Sequence, residues 1–135
     1  MLTLEELNDQ ERRFADAFGA RDVEIARPLY HPDVVYVSPT VRLFDQPPKI
    51  EGIDATLAFI RLTIEQCRDV VYEAVELACL PDGTSGFVRV HFDWNAGRKR
   101  LRSNYVVLYR YREEQIAGQE IYYDPSGQLE VLEDG

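Results

Sequence analysis

Between Phe87 and Trp94 the chain alternates strictly. Val88, Val90, Phe92 and Trp94 fall on one side of an extended strand, and Arg89, His91 and Asp93 on the other. The same two-residue period marks neighbouring stretches. From Leu101 to Tyr111 it sets Ser103, Tyr105, Val107, Tyr109 and Tyr111 against Arg102, Asn104, Val106, Leu108 and Arg110. From Gln115 to Tyr123 it sets Gln119, Ile121 and Tyr123 against Glu120 and Tyr122. With a further run from about Val70 to Leu80, these predict four strands. Their separators, Pro81-Asp82-Gly83, Asn95-Ala96-Gly97 and Arg112-Glu113-Glu114, are short, so the strands are expected to be consecutive antiparallel neighbours.

The first half reads differently. Leu4, Leu7, Phe14, Ala17 and Phe18 recur near one face at helical spacing from Thr3 to Phe18. Thr3 with Glu6 forms a capping-box pattern, and Gly19 is the expected stop. Asp22 opens a second helix to about Leu29, which His31-Pro32-Asp33 ends because proline cannot continue it. Val34 to Val37 is a short strand. Ser38 to Glu51, with Pro39, Pro47 and Pro48, reads as a long irregular segment of the kind that serves as a lid or interface arm. Gly52-Ile53-Asp54 opens a third helix to about Cys67, carrying Leu57, Phe59, Ile60 and Ile64. The expected fold class is α+β: three N-terminal helices packed on one face of a curved antiparallel sheet. One domain covers residues 1–135, with a core over about 3–124 and a loose acidic tail at 125–135.

Composition narrows the function. The 135 residues are 45% apolar with a net charge of −9, which disfavours nucleic acid and anionic membrane surfaces, both of which need clustered Lys and Arg. The one basic cluster, Arg98-Lys99-Arg100, reads as a solvated hairpin tip. Cys67 and Cys79 lie in no metal-ligand spacing and read as reduced, partly buried residues. Two histidines and scattered carboxylates form no recognisable metal constellation. No metal and no cofactor are expected. No apolar run reaches the ~20 residues needed to span a bilayer, and Met-Leu-Thr-Leu-Glu-Glu does not read as a signal peptide. The expectation is a cytoplasmic protein.

The inner face is aromatic but dotted with hydroxyls and an amide. Buried tyrosines need partners for their hydroxyls. Apolar walls with a few polar anchors describe a small-ligand cavity, and they describe an ordinary packed core equally well. The outer face mixes Val106, Leu108 and Tyr122 with charges, as a two-fold interface would.

Three segments carry a family resemblance: Arg13 to Asp22, Leu29 to Pro39, and the last two strands ending Ile121-Tyr122-Tyr123-Asp124. With Gly52 at the start of the third helix, they make the chain resemble the nuclear transport factor 2-like superfamily, in its SnoaL-like polyketide cyclase and ketosteroid isomerase branch. The resemblance implies a cone-shaped fold, a deep apolar cavity and homodimers. It also implies a departure. The isomerase aspartate before the proline that closes the first strand is matched by Ser38. The oxyanion-holding tyrosine of the first helix is matched by Phe14, and the protonated aspartate of the penultimate strand by Val107. Serine cannot abstract a carbon-acid proton unaided, and Phe and Val cannot donate to an enolate. Standard steroid isomerisation is therefore not expected.

The candidate acid-base residues are His31, at the mouth of the first strand, and Asp124. The candidate ligand-binding residues are Phe14, Phe18, Tyr30, Tyr36, Ser38, Phe59, Phe92, Trp94, Tyr105, Val107, Tyr109, Gln119 and Tyr123. Two functions stay open: an isomerase- or cyclase-like enzyme moving a proton on a small apolar or aromatic molecule, or a noncatalytic dimeric binding or structural module. In either, the expected partners are that small molecule and a second copy docked through the outer sheet face.

Overall fold

In a computed structural model, the structure describes residues 1–38, 47–96, 99–123 and 128–131, and the side chains among these except those at 96, 99, 101, 123 and 128–131. Helix α1 is Leu4–Ala20. Thr3 caps it by accepting the Glu6 amide, as the capping-box pattern requires, and Glu5 and Glu6 place negative charge at the positive end of the helix dipole. Its buried stripe is Leu7, Gln10, Glu11, Phe14 and Ala17, while Leu4 is exposed, contrary to the expected apolar face. The helix does not stop at Gly19. It ends at Arg21 in the left-handed region, where the Asp22 amide reaches back to the Ala17 carbonyl. The Arg21 guanidinium donates to the Cys67 carbonyl at 3.2 Å. This tie to the end of the next helix offsets the cost of a left-handed arginine.

The expected second helix is two 3-10 turns, Val23–Ile25 and Arg27–Leu29. Asp22 caps the first, and Pro28 sits at the start of the second, where its missing N–H costs nothing. Strand β1, Tyr30–Val37, takes in His31-Pro32-Asp33 rather than following it. Strand β2 is Lys49–Glu51, so the last part of the segment expected to be irregular is extended; residues 39–46 lie outside the described residues. Gly52 leads into helix α2, Ile53–Gln66, at φ +91, a conformation closed to L side chains, with its amide bonded to the Val34 carbonyl at 2.7 Å.

The long strands are β3 (Arg68–Cys79), β4 (Ser85–Ala96), β5 (Lys99–Arg112) and β6 (Gln115–Tyr123). They form the expected antiparallel meander. Two pairings correct the expectation. The sheet is mixed, because β1 lies parallel to β6, with a bulge between Tyr30 and Val35 that accommodates Pro32. Part of the tail is ordered as β7, Gln128–Val131, on β5. The sheet order is β2-β1-β6-β5-β4-β3, so among the described residues β2 and β3 are its two edge strands.

The side-chain alternation is as read. Val88, Val90, Phe92, Trp94, Ser103, Val107 and Tyr109 are buried, while Arg89, Arg102 and Arg110 are exposed. Helix α1 packs chiefly on β3, and α2 on β1. Each fully buried valine such as Val88 or Val90 contributes about 1.5–3 kcal/mol relative to leaving it in water. A charge there would have no partner.

Candidate functional site

The interior between the helices and the sheet is paved with aromatic rings. Phe14 of α1 stands edge-on to Tyr30 with ring centroids 5.9 Å apart, and stacks on Tyr109 at 6.3 Å. One turn later Phe18 stacks on Tyr72 at 5.5 Å and meets Phe92 edge-on at 5.4 Å. Phe92 continues to Tyr105 at 5.9 Å, and Tyr36 of β1 packs on Phe59 of α2 at 5.5 Å. Each such pair adds about 0.5–1.5 kcal/mol beyond its buried area. Phe14, Phe18, Tyr30, Tyr109, Phe92 and Tyr105 thus form one contiguous aromatic surface. Trp94, Val107 and Ser38 are also buried, on the same side of the sheet in the cases of Trp94 and Val107.

Several polar groups in this interior are paired, whereas among the described residues the Thr56 hydroxyl of α2 is buried without a hydrogen-bond partner. The Tyr30 hydroxyl donates to Gln119 Oε1 at 2.6 Å, joining β1 to β6 across their parallel register. Burial holds the Tyr30 phenol well above its ordinary pKa, so it stays a neutral donor.

The least anticipated group is Glu11. It projects from α1 into the core and is 3% exposed. Its Oε1 accepts the Tyr72 hydroxyl at 2.6 Å, and its Oε2 accepts Tyr109 at 3.1 Å and the Gln10 amide at 3.0 Å. Gln10 in turn accepts the Tyr111 hydroxyl through a short hydrogen bond. All of Glu11's donors are neutral, so burial outweighs them and raises its carboxyl pKa above the ordinary value. Glu11 sits four residues after Leu7 and three before Phe14, on the buried stripe. That helical spacing was the available signal, and Glu11 is absent from the residues singled out in the sequence.

The acid-base candidates fare differently. His31 is buried, but its Nδ1 accepts the Asp33 amide at 3.1 Å, within the bulge of β1. This is a turn-forming contact, and it leaves Nε2 as the ring's other hydrogen-bonding atom. Asp124 and the side chain of Tyr123 lie outside the described residues. His91, on the outer face, sits between Asn104 Oδ1 and Asp93 Oδ2, each 3.1 Å away. Among the described residues no cluster of three or more His, Cys, Asp or Glu side chains could hold a metal. Cys67 and Cys79 are free thiols, and burial pushes the Cys67 pKa up to about 12, which makes it a poor nucleophile. No helix among the described residues is long and apolar enough to cross a membrane.

The fold has close counterparts. A candidate isomerase from Bacillus subtilis superposes with a TM-score of 0.75 at 18% identity, over 93% of this chain and 91% of that one. A protein with a ketosteroid isomerase-like fold from Catenulispora acidiphila, solved with trimethylamine, gives 0.72 at 16% over 93% and 89%. An LEH-like epoxide hydrolase from Mycobacterium tuberculosis gives 0.70 at 15% over 89% and 84%. At these identities the likeness is one of fold. No curated protein matches the chain. The sequence profile of the SnoaL-like domain, however, matches residues 12–119, from the middle of α1 through Gln119 on β6. By that match the chain belongs to the SnoaL-like domain family, whose nuclear transport factor 2-like α+β fold the structure displays.

Proposed function

We propose that this protein binds a small apolar or aromatic molecule against its inner aromatic wall and moves a proton on it, as an isomerase- or cyclase-like enzyme distinct from the standard ketosteroid isomerases. The observation that carries the reading is the aromatic surface from Phe14 to Tyr105, anchored by the buried Tyr30–Gln119 pair. Apolar walls with few, fixed polar groups suit an uncharged ring system. Structural neighbours described as an isomerase and an epoxide hydrolase support chemistry of this general kind. Phe14 and Val107 supply no donors at the isomerase positions, so the reaction differs in its acid-base groups. In this reading, Tyr36, Ser38, Phe59, Trp94 and Tyr123 complete the wall, and His31 and Asp124 are the proton carriers.

The protein pairs with a second copy through the outer sheet face. Tyr122, 57% exposed, stands beside Val106 on that face, and Val71, 45% exposed, lies further along it beside Asp93, with arginines and carboxylates between them that can pair across a two-fold axis.

Trp94 is the single tryptophan and is buried on the inner wall, so its fluorescence reports a ligand there. The probe is 5-nitrobenzisoxazole, a neutral aromatic carbon acid. A base takes its C3 proton, the N–O bond breaks, and a coloured cyanophenolate forms. Saturable Trp94 quenching with turnover that falls in His31→Gln or Asp124→Asn supports the enzyme reading. Quenching without turnover establishes the alternative, a noncatalytic binding module. Absence of saturable quenching with this probe and a panel of neutral naphthols overturns the pocket.

A further inference from the structure

Gln119 carries a carboxamide on the inner face of β6, at an exposure of 6%. Its strand partners are Tyr36 on β1 and Tyr109 on β5, so it stands on the middle one of three adjacent strands. Phe59 of α2 packs on the Tyr36 ring, and Phe14 of α1 stacks on Tyr109. An amide in such surroundings needs partners on both its ends, because a buried polar group left unpaired costs more than an apolar one of the same shape.

Tyr30 occupies one end. Its hydroxyl is buried, and Gln119 Oε1, 2.6 Å away, is its acceptor. A reversed amide would set an N–H against the phenol and leave the Tyr30 proton with no acceptor among the described residues. Tyr30 therefore fixes which way the amide faces. Oε1 turns to the phenol, and Nε2 turns away from it.

The other end has no partner. Among the described residues no hydrogen bond reaches Gln119 Nε2. Nor is that nitrogen sealed in, since the fully enclosed side-chain atoms without a partner among the described residues are Thr56 Oγ1 and Asp93 Oδ1. Nε2 thus borders space that a water-sized group can enter. A donor held at a fixed orientation among aromatic rings calls for an acceptor from outside the chain.

We propose that Gln119 Nε2 selects the ligand of the inner wall by donating to a carbonyl oxygen on a neutral ring, and that Tyr30 is the positioning residue that aims it. This rests on the inner wall being a ligand site, and it names the polar atom that the ligand carries. A carbonyl oxygen offers two lone pairs and brings no proton of its own. A hydroxyl would bring one, and Gln119 Oε1 already serves Tyr30. A charged group would lose its hydration against the surrounding rings. A plain hydrocarbon would leave the amide unpaired, which is how a donor placed in an apolar site discriminates.

The probes are 1-tetralone, a neutral fused-ring ketone, and its hydrocarbon counterpart tetralin. Each is titrated calorimetrically into the wild type, Gln119→Met and Tyr30→Phe. Methionine keeps the side-chain length without donors, and phenylalanine keeps the ring at position 30 but lets the amide reverse. The ratio of ketone to hydrocarbon affinity is expected to fall about tenfold in Gln119→Met, the size of one buried hydrogen bond lost, and to fall less in Tyr30→Phe. In the infrared, the stretch of an isotope-labelled carbonyl bound to the wild type is expected below its value in hexane, and to rise towards that value in Gln119→Met. An unchanged ratio in Gln119→Met, or a bound carbonyl that vibrates as it does in hexane, overturns the role of Gln119 while leaving the wall as a binding surface. An unchanged ratio in Tyr30→Phe overturns the positioning role. No saturable binding of either probe overturns the wall itself, and the inference with it. The infrared measurement on the wild type needs no variant, so the proposal stays falsifiable if Gln119→Met, which leaves the Tyr30 hydroxyl without its acceptor, folds poorly.

Discussion

Replacing Glu11 with glutamine tests the physical account of the core most directly. The substitution preserves shape and removes the ionisable group; it also turns one acceptor oxygen into a donor, a cost that does not vary with pH and so leaves the slope unaffected. Two effects oppose each other at Glu11. Three hydrogen bonds favour the carboxylate, while burial at 3% exposure, without a cation, favours the acid. Neutral hydroxyl and amide donors compensate lost hydration only in part, so burial wins and the folded-state pKa lies above the ordinary 4.5. The sign follows. Below pH 4.5 both folded and unfolded chains hold the proton, and the wild type has its full stability relative to Glu11→Gln. As pH rises from 4.5 to the folded pKa, the unfolded chain is ionised while the folded chain is not. Unfolding then releases a proton, and stability falls by about 1.4 kcal/mol per pH unit. Above the folded pKa the difference is flat. Urea denaturation of both proteins at half-unit steps from pH 4 to 8 measures it, and the remaining carboxylates cancel in the difference. A wild type that gains stability relative to Glu11→Gln as pH rises would refute the reasoning, because it would mean the tyrosines hold Glu11 ionised. A flat difference would refute it too.

The β5–β6 hairpin turns on Glu113 and Glu114, with φ of 54° and 67°. Arg112 pairs with Gln115, so the loop has two residues and both sit where Asn-Gly is preferred. Glu113→Asn/Glu114→Gly is expected to raise stability by about 1 kcal/mol, the relief of left-handed strain less the entropy glycine adds to the unfolded chain; equal urea midpoints for variant and wild type count against it. On the outer face, Tyr122→Lys places like charges across the proposed two-fold axis and is expected to convert dimer to monomer in sedimentation velocity, with an unchanged circular dichroism spectrum. A variant that sediments like the wild type rules out that face.

Much of the fold was legible because strand periodicity is a local property. Val88 to Trp94 alternates, so the core side of β4 follows from the sequence, and pairing through short turns extends it to β5 and β6. What was not legible depended on remote partners. The parallel pairing of β1 with β6 joins Tyr36 to Gln119, and no local pattern announces a contact across that separation. Pro32 reads as a breaker, yet a bulge absorbs it once β6 supplies a neighbour. The end of α1 at Arg21 rather than Gly19 depends on a carbonyl at Cys67, 46 residues on. The candidate site divides in the same way. The inner-face aromatics Phe92, Tyr105 and Tyr109 follow from alternation, and the structure packs them with Phe14, Phe18 and Tyr30. Glu11 was passed over because its donors, Tyr72 and Tyr109, lie 61 and 98 residues away, and without them a helix glutamate reads as solvated.

Position 14 on α1 is a phenyl ring in contact with Tyr30, Tyr72 and Tyr109. One helical turn earlier, Glu11 collects two of those same tyrosines. The polarity that α1 contributes to the core is thus displaced by one turn, away from Trp94 and towards Gln10 and Tyr111. The aromatic wall and the polar cluster therefore share members rather than standing apart: Tyr72 and Tyr109 pack their rings on Phe14 and give their hydroxyls to Glu11. A substitution at either tyrosine removes a ring contact and a hydrogen bond at once, so packing and the hydrogen bonding of Glu11 are coupled through these two side chains.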